Sequence, residues 1–462
     1  MPDVARVAII GGGPGGYEAA LVAAQLGAQV SVVDSDGIGG SAVLTDCVPS
    51  KTLVATADLM SDVADSSELG VRVEGSSGGV RVDLGAVNAR VLALARAQSQ
   101  DTAGRLHRDG VRVLTGRGRL DGPSRVLVEL AAGGTETLEA DVVLVATGAH
   151  PRELAEARPD GERILSWTQL YDLAELPERL VVVGSGVTGA EFASAYHALG
   201  SDVVLVSSRD RVLPGQDADA AAVLEDVFAR RGLTVLGRSR AVGARRTPDG
   251  VLVELADGRQ VEGSHCLMAV GSIPNTDGIG LAEAGVGLDA RGYVAVDRVS
   301  RTSARGVYAA GDCTGVLMLA SVAAMQGRTA MWHALGDAVT PLDLVAVSSA
   351  VFTSPEIATV GWTQAMVEAG EVNAAVVSLP LATNARAKMQ GIHDGFVKVF
   401  CRPGTGIVMG GVVVAPRASE LVHPVALAVE CRLTVDQLAR AFTVYPSLSG
   451  SLAEAARRLR SR

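Results

Sequence analysis

The chain has 462 residues, 48% of them hydrophobic and 20% charged, the balance of a globular protein with room for about two to four domains. Its 41 lysines and arginines against 51 aspartates and glutamates give a net charge of −10, and nothing here suggests a nucleic-acid surface. No apolar run reaches the ~18 residues of a membrane span, no signal peptide is expected before the first strand, and the five cysteines are spaced for neither a disulfide framework nor a metal site, so a cytoplasmic chain without a metal is expected.

Val7 to Ile10 reads as a short strand buried on both faces. Gly11, Gly13 and Gly16 follow it as G-x-G-x-x-G. Such glycines allow a tight turn, a close backbone approach to a pyrophosphate, and close packing of the next helix on the strand. That helix is expected from about Gly15 to Leu26, with free N–H groups at its start to meet a phosphate. Gln29 to Val33 is the next strand, ended by Asp34, an acid placed for a ribose hydroxyl. Gly37, Gly39 and Gly40 predict a flexible loop. A helix then starts at Pro49-Ser50 with Lys51 in its first turns. Cys47 lies just ahead of it, where a helix N-terminus favours a thiolate.

Ala86 to His107 predicts a long helix, and Val111 to Gly118, Ser124 to Leu130 and Thr135 to Leu138 predict strands. Asp141 to Ala146 is a buried strand ending in Thr147-Gly148. A linker from Pro151 to Arg179 leads to a second nucleotide motif. Leu180 to Val183 is its strand, Gly184, Gly186 and Gly189 its glycines, Gly189 to Leu199 its helix and Val203 to Val206 its second strand. Two such units imply two nucleotide sites, one for each half of a hydride relay. No acid ends the second strand; Ser207, Ser208 and Arg209 stand there, followed by Asp210 and Arg211. Small hydroxyls beside arginines suit a 2′-phosphate, so NADPH is expected over NADH. Glu191 is placed in the first turn of the helix, where acids are also favoured by the helix dipole. Val235 to Ala269 is strand-rich. Val307 to Ala310 is a strand running into the Gly311-Asp312 turn, with a helix at Leu319 to Leu335. Beyond Pro341, VVSLP, GFVKVFC and GIVMGGVVV predict an antiparallel sheet, with helices at Ser419 to Cys431 and Val435 to Ala441.

Essentially the whole chain resembles the flavin disulfide reductases of the dihydrolipoamide dehydrogenase group. Their redox motif is G-G-T-C-x-N-x-G-C-x-P-S-K; here Gly39 to Lys51 reads GGSAVLTDCVPSK. The resemblance places the second family cysteine on Cys47 and the first on Ala42. It makes Thr147-Gly148 part of the segment that closes the first flavin-binding part, and Asp312 the acid bonded to the ribitol chain. It pairs Lys51 with Glu191 beside the flavin and nicotinamide rings, where a lysine stabilises charge on the reduced ring. The last domain is implied to form a homodimer and to lend a histidine and a glutamate to the partner's site through H-A-H-P-T-x-S-E. Those positions fall on Tyr445 and Gly450. A phenol, with a pKa of ~10, is a poor base near neutrality.

Thiol–disulfide exchange through an internal pair needs two thiols, and Ala42 removes one. The flavin, nicotinamide and dimer motifs are intact. The implied fold is α/β, with two Rossmann-like βαβ nucleotide domains and a C-terminal α+β dimerisation domain. Their bounds are 1–155 with 273–340 for FAD, 156–272 for NAD(P), and 341–462 for the dimer interface. The implied activity passes electrons from NADPH or NADH through FAD to a quinone or similar small acceptor, as in the actinobacterial quinone reductase branch of the family. The alternatives are a disulfide reductase, a pyridine nucleotide transhydrogenase, a peroxidase using Cys47, and a redox-sensing flavoprotein without turnover.

Overall fold

The computed structural model describes residues 4–72 and 80–460. These divide into two compact units, each assembled from three stretches of chain. The first comprises Met1–Ser50, Ala89–Arg152 and Ser272–Asp343; the second comprises Lys51–Asn88, Glu153–Gly271 and Leu344–Arg462. The α/β class and the separate C-terminal part are as expected.

In the first unit, β1 (Arg6–Ile10), α1 (Pro14–Gln25) and β2 (Gln29–Asp34) form the expected parallel βαβ start. β2 continues in parallel onto β3 (Arg112–Leu120) through Ser31 to Asp34 only. From Gly116 onward β3 turns to pair antiparallel with β4 (Arg125–Leu130), which pairs with β5 (Thr135–Glu139). On the other side of β1 lie β6 (Val142–Val145) and the strand Val307–Ala309, both parallel. The central strands are Val- and Ile-rich without polar alternation because both faces are covered.

Two local expectations need correction here. The Gly37–Gly40 stretch leads into a short helix, α2 (Gly40–Leu44), instead of staying an irregular loop, because Thr45 and Asp46 N–H both return to the Ser41 carbonyl. The helix α3 (Cys47–Asp65) begins at Cys47, not at Pro49, since proline is tolerated in a first turn, where no backbone donor is needed. α4 (Leu84–Arg108) matches its predicted extent.

The second unit carries a five-stranded parallel sheet in the order Thr234–Leu236, Asp202–Val206, Arg179–Val183, His265–Met268, Ile164–Ser166. The last of these lies inside the stretch expected to be a linker. Its three residues are all buried, and it pairs with Cys266 to Met268. The helix α5 (Val187–Leu199) follows the second glycine turn, and α6 (Ala218–Arg231) was not anticipated. α5 starts at Val187, two residues earlier than expected, because Gly186 is its N-cap. Glu191 therefore lies beyond the first turn, and the dipole gives no account of it. The antiparallel C-terminal sheet is as expected, in the order Ser348–Val351, Glu356–Gly361, Val408–Ala415, Phe396–Cys401, Ala375–Pro380. The helix expected at Ser419 to Cys431 is broken into Ala418–Leu421 and His423–Glu430 ahead of Pro424, whose ring nitrogen has no proton to donate. A further helix, Gly450–Leu459, buries Leu452, Ala455, Ala456 and Leu459 on one face. Among the described residues no helix is long and apolar enough to cross a membrane.

Candidate active site

The first glycine turn is built by steric exclusion. Gly11 has φ +106°, and a Cβ there would stand 2.2 Å from the Ala146 carbonyl oxygen. A Cβ on Gly16 would stand 1.9 Å from the Gly11 oxygen. Gly13 differs: the space a Cβ would take is open, the nearest atom being the Gly40 Cα at 3.9 Å. It opens α1 with Pro14 in its first turn, so free N–H groups face that space without loss of a helical bond. Asp34 Oδ2 accepts the Gly12 N–H at 2.6 Å, while Oδ1 accepts from Asp36 and Gly37 at 2.8 and 2.7 Å. The acid thus ties the loop after β2 to the glycine turn.

Beside it, Thr147 Oγ1 donates to the Asn275 carbonyl at 2.7 Å, and Asn275 Nδ2 donates back to the Thr147 carbonyl at 2.8 Å. That leaves Asn275 Oδ1 to accept from His150 Nδ1 at 2.6 Å, which puts the ring proton on Nδ1. Gly148, at φ +70°, accepts the Asn275 N–H. A cleft of about 640 Å³ is lined by Gly11, Asp34, Gly118, Thr147, His150 and Asn275. Gly118, His150 and Asn275 escaped the sequence reading. Asn275 does fall within 273–340, the stretch given to the FAD domain.

Gly311, at φ +83°, donates its N–H to Gln326 Oε1 at 2.8 Å, and Gln326 is buried. Asp312 follows. Burial, with the nearby Asp46 charge adding to it, pushes its carboxyl up to about 6. No group among the described residues donates a hydrogen bond to that carboxyl. A largely buried acceptor without a donor and an open glycine N-cap fit a ligand that carries hydroxyls and phosphates.

The second glycine turn repeats the first. Gly184 has φ +113°, with a Cβ site 2.1 Å from the Ala269 oxygen; the Cβ site of Gly189 is 1.8 Å from the Gly184 oxygen, and Gly186 faces open space. Ser207 occupies the place of Asp34. Where Asp34 accepts from Gly12, the Ser207 hydroxyl lies 2.7 Å from the Ser185 hydroxyl. Ser207 is wholly buried, and only Ser208, Arg209 and Asp210 are exposed. The hydroxyl of Ser207 is thus engaged inside the fold, and what its position presents is the absence of a carboxylate. Arg238, absent from the sequence reading, is exposed beside this loop and donates its N–H to the Arg209 carbonyl at 2.6 Å.

Lys51 and Glu191 are brought together as expected. Nζ lies 2.7 Å from Glu191 Oε2, with the lysine side chain 29% and the glutamate 5% exposed. Cys47 opens the helix that carries Lys51 and is partly exposed, and Ala42 lies in α2. Among the described residues no cysteine is joined in a disulfide. Burial pushes Cys266 up to about 12 and Cys313 to about 11, so both are inert side chains of the interior. Tyr445 is exposed, and Gly450 starts the last helix. Among the described residues no group of His, Cys, Asp and Glu is arranged to hold a metal.

Residues 5–327 match the family described as pyridine nucleotide-disulphide oxidoreductase, and residues 347–456 match its dimerisation domain. The chain is 56% identical to the NAD(P)H dehydrogenase (quinone) of Mycobacterium tuberculosis, over 99% of this chain and 94% of that protein. It is 32% identical to the dihydrolipoyl dehydrogenase of Zymomonas mobilis, over 98% and 97%. The crystal structure of LpdA from Mycobacterium tuberculosis superposes with a TM-score of 0.94 at 56% identity, covering 99% of this chain and all of that one.

Proposed function

The chain belongs to the pyridine nucleotide-disulphide oxidoreductases, and from that premise we propose that it is an FAD-dependent NAD(P)H dehydrogenase whose acceptor is a quinone or similar small oxidant. The observation that carries this reading is the Lys51–Glu191 ion pair, kept in a chain that has Ala42 at the first cysteine position and no disulfide among its described residues. The electron-input side is retained and the disulfide relay is not. The relative at 56% identity carries the name of that activity.

Bound FAD supplies the chemistry, accepting hydride from the nicotinamide and delivering electrons to the acceptor. Gly11, Gly13 and Gly16 hold its pyrophosphate at the start of α1. Asp34 meets a ribose hydroxyl, Thr147 lines the cleft with Gly148 next to it in the chain, and the Gly311-Asp312 turn accepts ribitol hydroxyls. Gly184, Gly186 and Gly189 hold the nicotinamide dinucleotide, with Ser208 and Arg209 at its 2′ position. Lys51, oriented by Glu191, offsets the negative charge that reduction brings to the ring. Cys47 packs against the flavin without turning over.

A homodimer is part of the reading. The matched dimerisation domain includes Phe442, fully exposed, with Val444 and Tyr445 at 79% and 86% exposure, apolar groups that a second copy would cover. The division into 1–155 with 273–340, 156–272 and 341–462 belongs to it too, as does a cytoplasmic location, which suits cysteines not joined in disulfides.

The test is NADPH oxidation by the FAD-loaded protein with a quinone, lipoamide or a second nicotinamide as acceptor. Quinone turnover with negligible lipoamide turnover is the expected result. Robust lipoamide turnover, preferential nicotinamide-to-nicotinamide transfer, or no turnover with any acceptor overturns the reading.

A further inference from the structure

Phe352 follows the strand Ser348–Val351 in the C-terminal part of the chain. Its backbone N–H donates to Glu191 Oε1 at 2.9 Å, and two residues on the Ser354 N–H donates to Ser194 Oγ at 3.2 Å. Alternate residues of one extended segment thus meet side chains three apart on one face of α5. Glu191 Oε2 holds Lys51 at 2.7 Å, and the Lys51 ammonium also lies 4.8 Å from the centroid of the Phe352 ring. One residue therefore grips both members of the pair, the carboxylate through its backbone and the ammonium through its ring.

The choice of lysine fits this arrangement. Lys51, Lys388 and Lys398 are the only lysines among 41 basic residues. An arginine fork at position 51 would claim both oxygens of Glu191 and compete with the Phe352 N–H, whereas a compact ammonium takes one oxygen and leaves the other for that N–H.

We propose that Phe352 is a positioning residue for Lys51, by which the C-terminal segment sets the direction of the active-site cation; this rests on the flavin-directed role of Lys51 proposed above. The ring face and one carboxylate oxygen together define where the ammonium points. Without the ring Lys51 loses the contact at 4.8 Å that complements its ion pair with Glu191, and the ammonium shifts in direction.

The test uses the FAD-loaded protein with lysine labelled at the ε-carbon, which gives three resonances. Phe352→Leu keeps the N–H and the apolar bulk but removes the ring face; Phe352→Tyr keeps both. Phe352→Met serves as a second ring-free variant should the leucine protein fold poorly. The wild type and Phe352→Tyr should show a ring-current shift on Lys51 that both ring-free variants lose. At full flavin content, anaerobic flavin reduction by NADPH should slow about three- to tenfold in the ring-free variants, with the NADPH concentration dependence unchanged. Phe352→Tyr should reduce at the wild-type rate. A ring-free variant that keeps the Lys51 shift, or that loses it and still reduces at the wild-type rate, overturns the proposal. No quinone enters this half-reaction, so an error in the proposed acceptor would leave its outcome unchanged.

Discussion

The Lys398 ammonium lies 2.9 and 2.8 Å from the two carboxylate oxygens of Asp217, and each side chain is only 2% exposed. Asp219 adds a third contact at 2.7 Å from a largely exposed position, and the Phe396 ring centroid lies 5.4 Å away. Asp217 is also the N-cap of α6, its Oδ1 accepting from the N–H groups of Asp219 and Ala220. The pair ties the start of that helix to the strand Phe396–Cys401. Asparagine caps a helix as well as aspartate does, so Asp217→Asn isolates the ion pair from the cap. It should cost ~3–5 kcal/mol, because a buried ammonium loses its fully buried counter-charge. The measurement is denaturant unfolding of the FAD-loaded protein. An unchanged midpoint would mean that Asp219 and entering water compensate.

Nicotinamide choice should turn on position 207. The fold gives Ser207 the place that Asp34 holds in the first βαβ unit, so a carboxylate introduced there stands where an acid would repel a 2′-phosphate and accept from a ribose. The wild type should favour NADPH in kcat/KM. Ser207→Glu should move the NADPH-to-NADH ratio at least about tenfold toward NADH, the worth of one charge-assisted bond. Steady-state kinetics with both nucleotides decide this, and a wild type that already prefers NADH would count against the role given to Arg209.

Cys47→Ser should keep most NADPH–quinone turnover, since Ala42 stands where the second thiol of an internal redox pair would be. Lys51→Ala should lower turnover per bound flavin more, because it removes the cation and leaves Glu191, at 5% exposure, without its counter-charge. Flavin content is measured first in both variants. Loss of quinone turnover in flavin-replete Cys47→Ser would move the chemistry onto the thiol and favour a sulfenic-acid peroxidase.

Asp312 gives the FAD-free protein a pH dependence of known sign. Its folded pKa of about 6 lies above the ~3.9 of an unfolded aspartate. The folded state therefore holds the proton more tightly. The stabilisation is complete below the unfolded pKa and is lost as pH rises through about 6, leaving a penalty on the order of 3 kcal/mol relative to acid pH. Asp312→Asn should therefore melt higher than the wild type at about pH 8, with the gap closing toward about pH 4. The same variant should bind FAD more weakly, as the hydroxyl-accepting carboxylate is gone. A gap that does not depend on pH would show that the carboxyl titrates as in the unfolded chain.

Both glycine turns were legible in the sequence because their cause is local. Gly11 and Gly16, like Gly184 and Gly189, sit where any Cβ would strike a backbone oxygen about 2 Å away, an exclusion set by a few consecutive residues and the strand beside them. The missing thiol at Ala42 and the missing acid at Ser207 were equally readable, since each is a residue type at a motif position. The pairing of Lys51 with Glu191, 140 residues apart, was reached only through a family resemblance. Nothing in the sequence pointed to Phe352 as the group behind both, to Asn275 as the clasp on Thr147, or to Lys398 against Asp217, 181 residues away. Strand-forming segments announce themselves by composition, as even the buried three-residue strand at Ile164–Ser166 does in hindsight. Which side chains meet is decided by strand order and by the packing of α5 and α6 in the second unit. An ammonium, a carboxylate and a ring face find one another only after long loops have closed, and that closure is a property of the whole fold.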